Sequence, residues 1–290
     1  MKNVLAVDIG GTHFRTGLFD EQGRRLLVLE GDTDRVAGRD WMLSQLTARC
    51  RELMAQTDAP VHACGLSFGG PVDFLRQRVT SVHSAGWQGF ELGKWMEQTL
   101  GIPCRLDNDA NAGALGEARF GAGRGYSPLF YMTLSTGIGG GIYHDGRIWR
   151  GADSYGGEIG HLTIRPDGPP CLCGWHGCFE RMCCGLWLER DYGKTAEELM
   201  RDPAFVSRYV VDLALGLKTS IMLLNPARIV IGGGIAKAGD RLFDPLRAEL
   251  RRQITDWSGA RIDVAPAALG DDSVLYGALA LAEDQGMAEG

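Results

Sequence analysis

The chain is 290 residues long, with 44% hydrophobic and 23% charged residues and a formal net charge of −6. That length suggests two domains with ample core, and the ordinary apolar and charged fractions exclude a disordered chain. The acidic balance argues against nucleic acid or an anionic membrane as the main partner, because both call for a basic surface.

Gly is the compositional outlier: 42 residues, about twice its usual ~7%. Such an excess marks tight turns and backbone brought close to a ligand. The 8 cysteines come without any sign of export. The opening run Met1 to Asp8 is too short in apolar residues for a signal peptide. The uncharged stretch Gly125 to His144 approaches membrane-spanning length, but Pro128, Thr133, Ser135, Thr136 and five Gly break it. The expectation is a soluble, cytoplasmic protein whose thiols stay reduced, so clustered cysteines are read first as metal ligands.

In chain order, Val4 to Ile9 is a short apolar run ending at Asp8-Ile9-Gly10-Gly11-Thr12, and Phe14 to Phe19 follows it. Together they read as a β-hairpin with a Gly-rich connection. Arg39 to Thr57 carries Trp41, Leu43, Leu46, Cys50, Leu53 and Met54 at helical spacing. Ala63 to Phe68 predicts a strand, Glu91 to Leu100 a helix, and Cys104 to Leu106 a strand entering Asp107-Asn108-Asp109 and a helix to Phe120.

The second half repeats the opening. Leu129 to Leu134 predicts a strand that enters the turn Ser135-Thr136-Gly137-Ile138-Gly139-Gly140-Gly141, and a hairpin then turns at Asp145-Gly146. Ala204 to Leu224 is a long apolar helix stopped by Asn225-Pro226, and Arg228 to Ile231 is a strand before Gly232-Gly233-Gly234. A helix (Leu242 to Ile254), a strand (Ile262 to Ala265) and a helix (Val274 to Ala282) complete the chain. The shared strand, Gly-rich turn, strand opening is consistent with two related α/β domains facing a cleft.

Three Gly-rich turns therefore follow apolar strands. Backbone N–H groups in such turns approach phosphate without Cβ interference, and Asp8 on the first suits a bridging Mg²⁺, directly or through water. Each turn by itself reads first as a tight connection between strands, because short Gly motifs match by chance. Two other nucleotide patterns fail: Gly193-Lys194-Thr195 lacks the upstream Gly and strand of a P-loop, and Gly121 to Gly125 lacks the strand and helix of a dinucleotide fingerprint.

The most specific pattern is His161, nine residues, Cys171-Leu172-Cys173, four residues, Cys178. One imidazole and three thiolates make a closed tetrahedral Zn²⁺ set of the structural type. Gly168-Pro169-Pro170 and Gly174-Trp175-His176-Gly177 supply the turns that fold them onto one ion. The remaining cysteines, Cys50, Cys64, Cys104, Cys183 and Cys184, read as structural. Asp109 can be a helix cap or a general base, with Asn108 orienting a hydroxyl. Glu158 and Glu180 flank the proposed zinc and can grip a polyol, or be solvated surface residues.

Taken together, these motifs resemble the ROK family of bacterial sugar kinases and repressors, within the actin-like ATPase superfamily, and its glucokinase-like members above all. The resemblance spans nearly the whole chain. It rests on Asp8 to Thr12, Asn108-Asp109-Ala110-Asn111-Ala112, Ser135 to Gly141, Gly157-Glu158-Ile159-Gly160-His161, Cys171 to Glu180, and Ile231 to Gly234.

It implies an α/β fold of two actin-like (ribonuclease H-like) domains flanking a cleft, with a zinc-binding loop. Residues 1–110 would form the N-terminal domain, joined by the helix 275–290, and residues 111–274 the C-terminal domain with the zinc motif. Asp109 would be the base that takes the proton of a sugar 6-hydroxyl attacking the γ-phosphorus of ATP. Asn108, Glu158, His161 and Glu180 would contact the sugar, with His161 also a zinc ligand. Gly10, Gly11, Thr12, Thr136 and Gly137 would bind phosphate, Gly233 and Gly234 would lie near adenosine, and Asp8 near Mg²⁺. A homodimer is implied as well.

Three departures stand out. His83-Ser84 replaces a common Pro-Asn pair before Trp87, the segment from Glu180 to Ala204 is short, and His13 stands where Lys is common. The family's repressors carry a DNA-binding helix-turn-helix ahead of the first phosphate motif. Here seven residues precede Asp8 and the charge is negative, so an enzyme acting on glucose or another hexose is expected.

Overall fold

The computed structural model describes residues 2–34, 36–81 and 85–284. Residues 83 and 84, one of the departures noted above, lie outside the described residues, as do residues 285–290 of the expected terminal helix. The chain divides into two compact units. The first holds Met1–Gly116, Gly151–Tyr155 and Val274–Gly290, and the second Glu117–Arg150 and Gly156–Ser273.

The first unit is built on β1 (Asn3–Ile9), β2 (His13–Asp20), β3 (Arg25–Asp32), α1 (Gly38–Ala55) and β4 (Val61–Phe68). After these come a small hairpin of β5 (Val72–Asp73) and β6 (Arg78–Val79), then α2 (Leu92–Leu100), β7 (Cys104–Asn108) and α3 (Asp109–Phe120). The sheet runs β3-β2-β1-β4-β7, with β1 antiparallel to β2 and parallel to β4.

Period-2 alternation along β1 decides its two faces. Leu5, Val7 and Ile9 pack with Leu66, Leu106 and the apolar faces of α1 and α2, including Leu46, Leu53 and Met96. Each fully buried Leu of this set contributes about 1.5–3 kcal/mol. On the other face Ala6 stands in register with Gly17 of β2 and Gly65 of β4. That row of small residues forms a shallow floor for α9 (Ser273–Glu283): a Cβ on Gly65 would collide with the Ala278 carbonyl, and one on Gly17 would meet Phe19 and Leu275. Gly277 of α9 lies as closely on Ala112 of α3. These contacts tie the last helix to the first sheet.

The second unit holds β8 (Leu129–Leu134), β9 (Ile138–His144), β10 (Arg147–Ile148), α4 (Phe179–Cys183), α5 (Gly185–Tyr192), α6 (Ala196–Leu199), α7 (Pro203–Leu224), β11 (Arg228–Gly232), α8 (Asp240–Gln253) and β12 (Val264–Pro266). Its sheet, β10-β9-β8-β11-β12, repeats the order of the first: a central strand with antiparallel neighbours on one side and parallel ones on the other.

Asp202 accepts the Ala204 N–H (2.9 Å) and Pro203 occupies the first turn, so α7 starts there, and it stops at Asn225 in the left-handed region (φ 42°). Its apolar face packs with α8 over Phe130, Met132 and Leu134. Gly216 leaves the space that the Phe179 ring fills.

Some sequence expectations change. Gly139, Gly140 and Gly141 are not turn residues but pair with Thr133, Met132 and Tyr131 inside β9, leaving Ser135–Gly137 as the turn. Strand β3, an edge strand with little alternation, and the short helices α4 to α6 carried no clear periodic signal. Among the described residues no helix is long and apolar enough to cross a membrane.

Candidate active site and metal centre

In the second unit the site begins with glycines that draw loops onto the sheet. Gly140 of β9 and Gly157 face each other backbone to backbone, and a Cβ on either would strike the other's carbonyl. Gly160 lies equally close to the Ile138 carbonyl. The segment Gly157–His161 is thereby pressed against β9, ending in one 3-10 turn (Ile159–His161). Across from it, Glu180 on α4 accepts the Ile138 N–H (2.9 Å), and a Cβ on Gly137 would come within 2.7 Å of its carboxylate oxygen. Burial raises the Glu158 carboxyl above the usual glutamate range; His161 opposes the shift and the charge of Glu180 adds to it. Glu158, His161, Glu180 and the turn Thr136-Gly137 thus form one neighbourhood.

That turn is braced from two further directions. The N–H groups of Gly185 and Leu186, at the start of α5, bond to the carbonyls of Ser135 (2.7 Å) and Thr136 (3.2 Å). Gly233 has φ 90°, and a Cβ on it would strike the Leu134 backbone at the end of β8 (2.5 Å). The Gly-rich turns after β8 and β11 are therefore neighbours.

His161, Cys171, Cys173 and Cys178 offer ligand atoms that all lie within 4.8 Å of one another. The Cys173 and Cys178 sulfurs are 3.6 Å apart. A tetrahedron with ~2.3 Å Zn–S bonds has edges of about 3.8 Å, so the donor set fits zinc in type, number and spacing. Backbone bonds shape the loop independently: Cys171 N–H to Trp175 O (2.7 Å), Gly174 N–H to Cys171 O (3.1 Å) and Gly177 N–H to Pro169 O (2.8 Å). Gly177 (φ 60°) packs on the Arg165 carbonyl, where no Cβ fits. Arg181 anchors the loop from α4, donating to Pro170 O (3.1 Å) and to both oxygens of Asp191, with its guanidinium 4.0 Å from the Trp187 ring centroid. Burial first, and then the neighbouring thiols, push the Cys178 thiol up to about 12.

In the first unit, Asn108 and Asp109 mark the passage from β7 into α3. The cap belongs to Asn108, whose Oδ1 accepts the Asn111 N–H (2.7 Å). Asp109 is the first helical residue, with Oδ1 accepting the Ala110 N–H (2.9 Å), at the helix end that favours negative charge. The buried Asp107 beneath accepts from the Asn108 N–H (2.8 Å) and from Asn111 Nδ2 (3.0 Å), a supporting role.

The turn Gly10-Gly11-Thr12 is closed by Gly10 N–H to His13 O (3.0 Å) and held by Thr33, which donates to Gly10 O (2.8 Å) and Thr12 O (2.8 Å). Asp8 accepts from Arg15 Nη2 (2.9 Å), and burial raises its carboxyl above the usual range while Arg15 opposes the shift. Arg15 was not singled out from the sequence. The hairpin reading contained the signal, since pairing Ile9 with Phe14 sets Asp8 opposite Arg15. Glu117 was missed too: fully buried on α3, it accepts from the N–H groups of Ala122 (2.7 Å), Ala268 (3.1 Å) and Leu269 (3.0 Å) and from the Ser273 hydroxyl (2.7 Å).

The expected site residues divide between the units. Asp8, Gly10, Gly11, Thr12, Asn108 and Asp109 lie in the first, and Thr136, Gly137, Glu158, His161, Glu180, Gly233, Gly234 and the cysteine ligands in the second.

Two sheets of identical order, each with a Gly-rich turn behind its central strand, and a His-Cys₃ loop in the second unit define an actin-like α/β protein of the sugar-kinase type. Residues 4–285 match the model of the ROK family, and the chain belongs to that family. A glucokinase of Thermotoga maritima is 30% identical over 97% of this chain and 98% of its own length. Among solved structures, the ROK hexokinase from Thermus thermophilus matches with a TM-score of 0.85 at 34% identity, covering 97% of this chain and 98% of that one. A ROK family glucokinase from Streptomyces griseus, in complex with glucose and AMPPNP, matches with a TM-score of 0.84 at 29% identity, covering 97% and 99%.

Proposed function

We propose that the protein phosphorylates the 6-hydroxyl of a free hexose, glucose first, using MgATP as substrate. In the proposed step the sugar O6–H gives its proton to the Asp109 carboxylate while O6 bonds to the γ-phosphorus. The bridging P–O bond breaks, and ADP leaves with the electron pair. Asn108, Glu158, His161 and Glu180 hold sugar hydroxyls. Asn108 commits its Oδ1 to the helix cap, so its amide N–H groups are the donors it offers. The turns Gly10-Gly11-Thr12 and Thr136-Gly137 bind phosphate, and Gly233-Gly234 lies toward adenosine.

Positioning and electrostatics supply most of the rate in such a reaction. Zinc, bound by His161, Cys171, Cys173 and Cys178, would supply no chemistry; it would fix the loop that leads into α4 and Glu180, and orient His161. The homodimer and the cytoplasmic location belong to the same proposal.

The observation that carries this reading is the contact of Glu180 with Gly137 and the Ile138 N–H. It joins a carboxylate suited to a sugar hydroxyl to a turn suited to phosphate, the juxtaposition a sugar kinase needs. Within the same class, fructose, mannose, allose, glucosamine, N-acetylmannosamine or N-acetylglucosamine are the alternative substrates. A non-catalytic sugar sensor is the alternative from another class, and it has no use for Asp109 together with two phosphate turns.

The test is ADP release from MgATP across a panel of these sugars with zinc-loaded protein. Rapid turnover on one sugar is expected. Sugar binding with no ADP release on any of them would make the protein a sensor.

A further inference from the structure

One charged side chain beside the first phosphate turn has no part in the mechanism above. Arg15 of β2 pairs in register with Asp8 of β1, one pair behind the Ile9–Phe14 pair nearest the turn. Its Nη2 lies 2.9 Å from Asp8 Oδ2, and the two side chains are only 13% and 16% exposed. The same row continues across the sheet through Ser67 of β4 to Asp107 of β7, each in register with the last. Asp107 is occupied by an N–H and by Asn111, and Asp8 by the guanidinium.

A carboxylate so engaged is a poor direct ligand for Mg²⁺. The ion demands near-ideal octahedral geometry and is reluctant to shed its waters. Bound to Asp8, it would stand beside a fixed, like-charged guanidinium in a mostly buried setting, where screening is weak. Among the described residues, no cluster of three or more potential metal ligands includes Asp8. Meanwhile the pair lies where it can fix the turn, since it ties together the two strands that Gly10-Gly11-Thr12 connects.

The geometry points to Arg15 as a positioning residue of the phosphate-binding turn: it locks Asp8, which braces the turn and does not coordinate the magnesium of MgATP directly. What the turn binds rests on the kinase reading; the ion pair and its consequence for Asp8 do not.

The experiment is calorimetric binding of ADP, once with Mg²⁺ and once with EDTA, to wild type, Arg15→Met, Asp8→Asn and the double variant, with steady-state kinetics alongside. Each single variant should weaken ADP about tenfold by the same factor in both conditions, and the double variant should lose no more than either single one. The kinetic loss should fall on KM for MgATP and not on kcat, as for a ground-state positioning role. Arg15→Lys, which keeps the charge, should recover part of the loss, and it replaces Arg15→Met if the melting curve shows that variant unfolded.

An Asp8→Asn defect seen only with Mg²⁺ would make Asp8 a direct ligand and overturn the inference. So would an Arg15→Met protein that binds ADP as wild type does. A folded wild type that binds no ADP would overturn the kinase reading and, with it, the role given to the turn.

Discussion

The two units share one sheet order but hold their site residues in different ways. In the first, the acidic and amide site residues sit at or near the ends of regular elements, Asp8 on β1, Asn108 closing β7 and Asp109 opening α3, with Gly10-Gly11-Thr12 in the short turn between β1 and β2. Their positions follow from strand register, a helix cap and one cross-strand ion pair. In the second, Glu158, His161 and the three cysteines sit on irregular backbone between β10 and α4. That backbone is held by glycine-permitted close approaches, by Arg181, and by four side chains gathered to suit an ion. A hydrogen-bonded sheet end keeps its geometry unaided, whereas a loop of this length gains order only where cross-links offset its conformational entropy.

The contrast can be broken most sharply at Asp109. Asp109→Ala should lower kcat by about 10²–10⁴, the usual worth of a positioned base, with little change in melting temperature. If turnover remained near normal, the base would have to lie elsewhere, and the division of labour between the units would need redrawing.

Next in size is the metal centre. Cys178→Ser, or prolonged chelation, should remove one equivalent of zinc by elemental analysis and weaken sugar binding many-fold through Glu180 and His161. Hydrogen exchange should rise in residues 157–183 while the β1–β4–β7 core stays protected, because the first unit does not depend on the ion. Uniform loss of protection in both units would show that the loop is not a separately held region.

A smaller effect is expected at Gly137. Gly137→Ala puts a methyl against the Glu180 carboxylate, and should raise KM for sugar and ATP together by about tenfold while the protein still folds. An effect on ATP alone would separate the two functions of that neighbourhood.

The smallest concerns α8, which carries no site residue. Hydrogen bonds from Arg252 first, and also from Gln253, hold the Glu249 carboxyl below the usual glutamate range. The folded state therefore binds fewer protons than the unfolded one. The stabilisation is present above the ordinary glutamate value of about 4.3 and fades as pH falls through the depressed folded value. Glu249→Gln should cost well under about 1 kcal/mol at neutral pH, and the gap in melting temperature should close in acid. A gap that widened in acid would contradict this assignment.

Much of this is legible in the sequence. The apolar runs of β1, β4, β8 and β11 announced buried strands, and the 3.6-residue spacing from Trp41 to Met54 announced α1. The His161–Cys178 spacing named its own ligands because thiols and imidazole in a short Gly/Pro loop have few other uses. The glycines of β9 misled, since Gly139–Gly141 look like a turn. They extend as a strand because Gly140 must admit the Gly157 backbone, a contact no local pattern reveals. Strand β3 and helices α4 to α6 went unnoticed for lack of a clean period.

By itself, then, the sequence determined where the apolar strands and the long helices fall and which four side chains can share a metal, and it marked the Gly-rich turns as candidates for an anion. These depend on neighbours a few residues apart, where periodicity and turn chemistry act. Tertiary structure alone decided that Gly17 and Gly65 admit α9 closely onto the first sheet, that Asn108 and not Asp109 caps α3, that Arg15 occupies Asp8, and that Glu180 stands against Gly137. Those outcomes turn on strand register, on the hydrogen-bond geometry at one helix end, and on close packing between groups far apart in sequence, Gly17 and Leu275 among them. Such contacts are chosen by shape and charge only once the chain has closed.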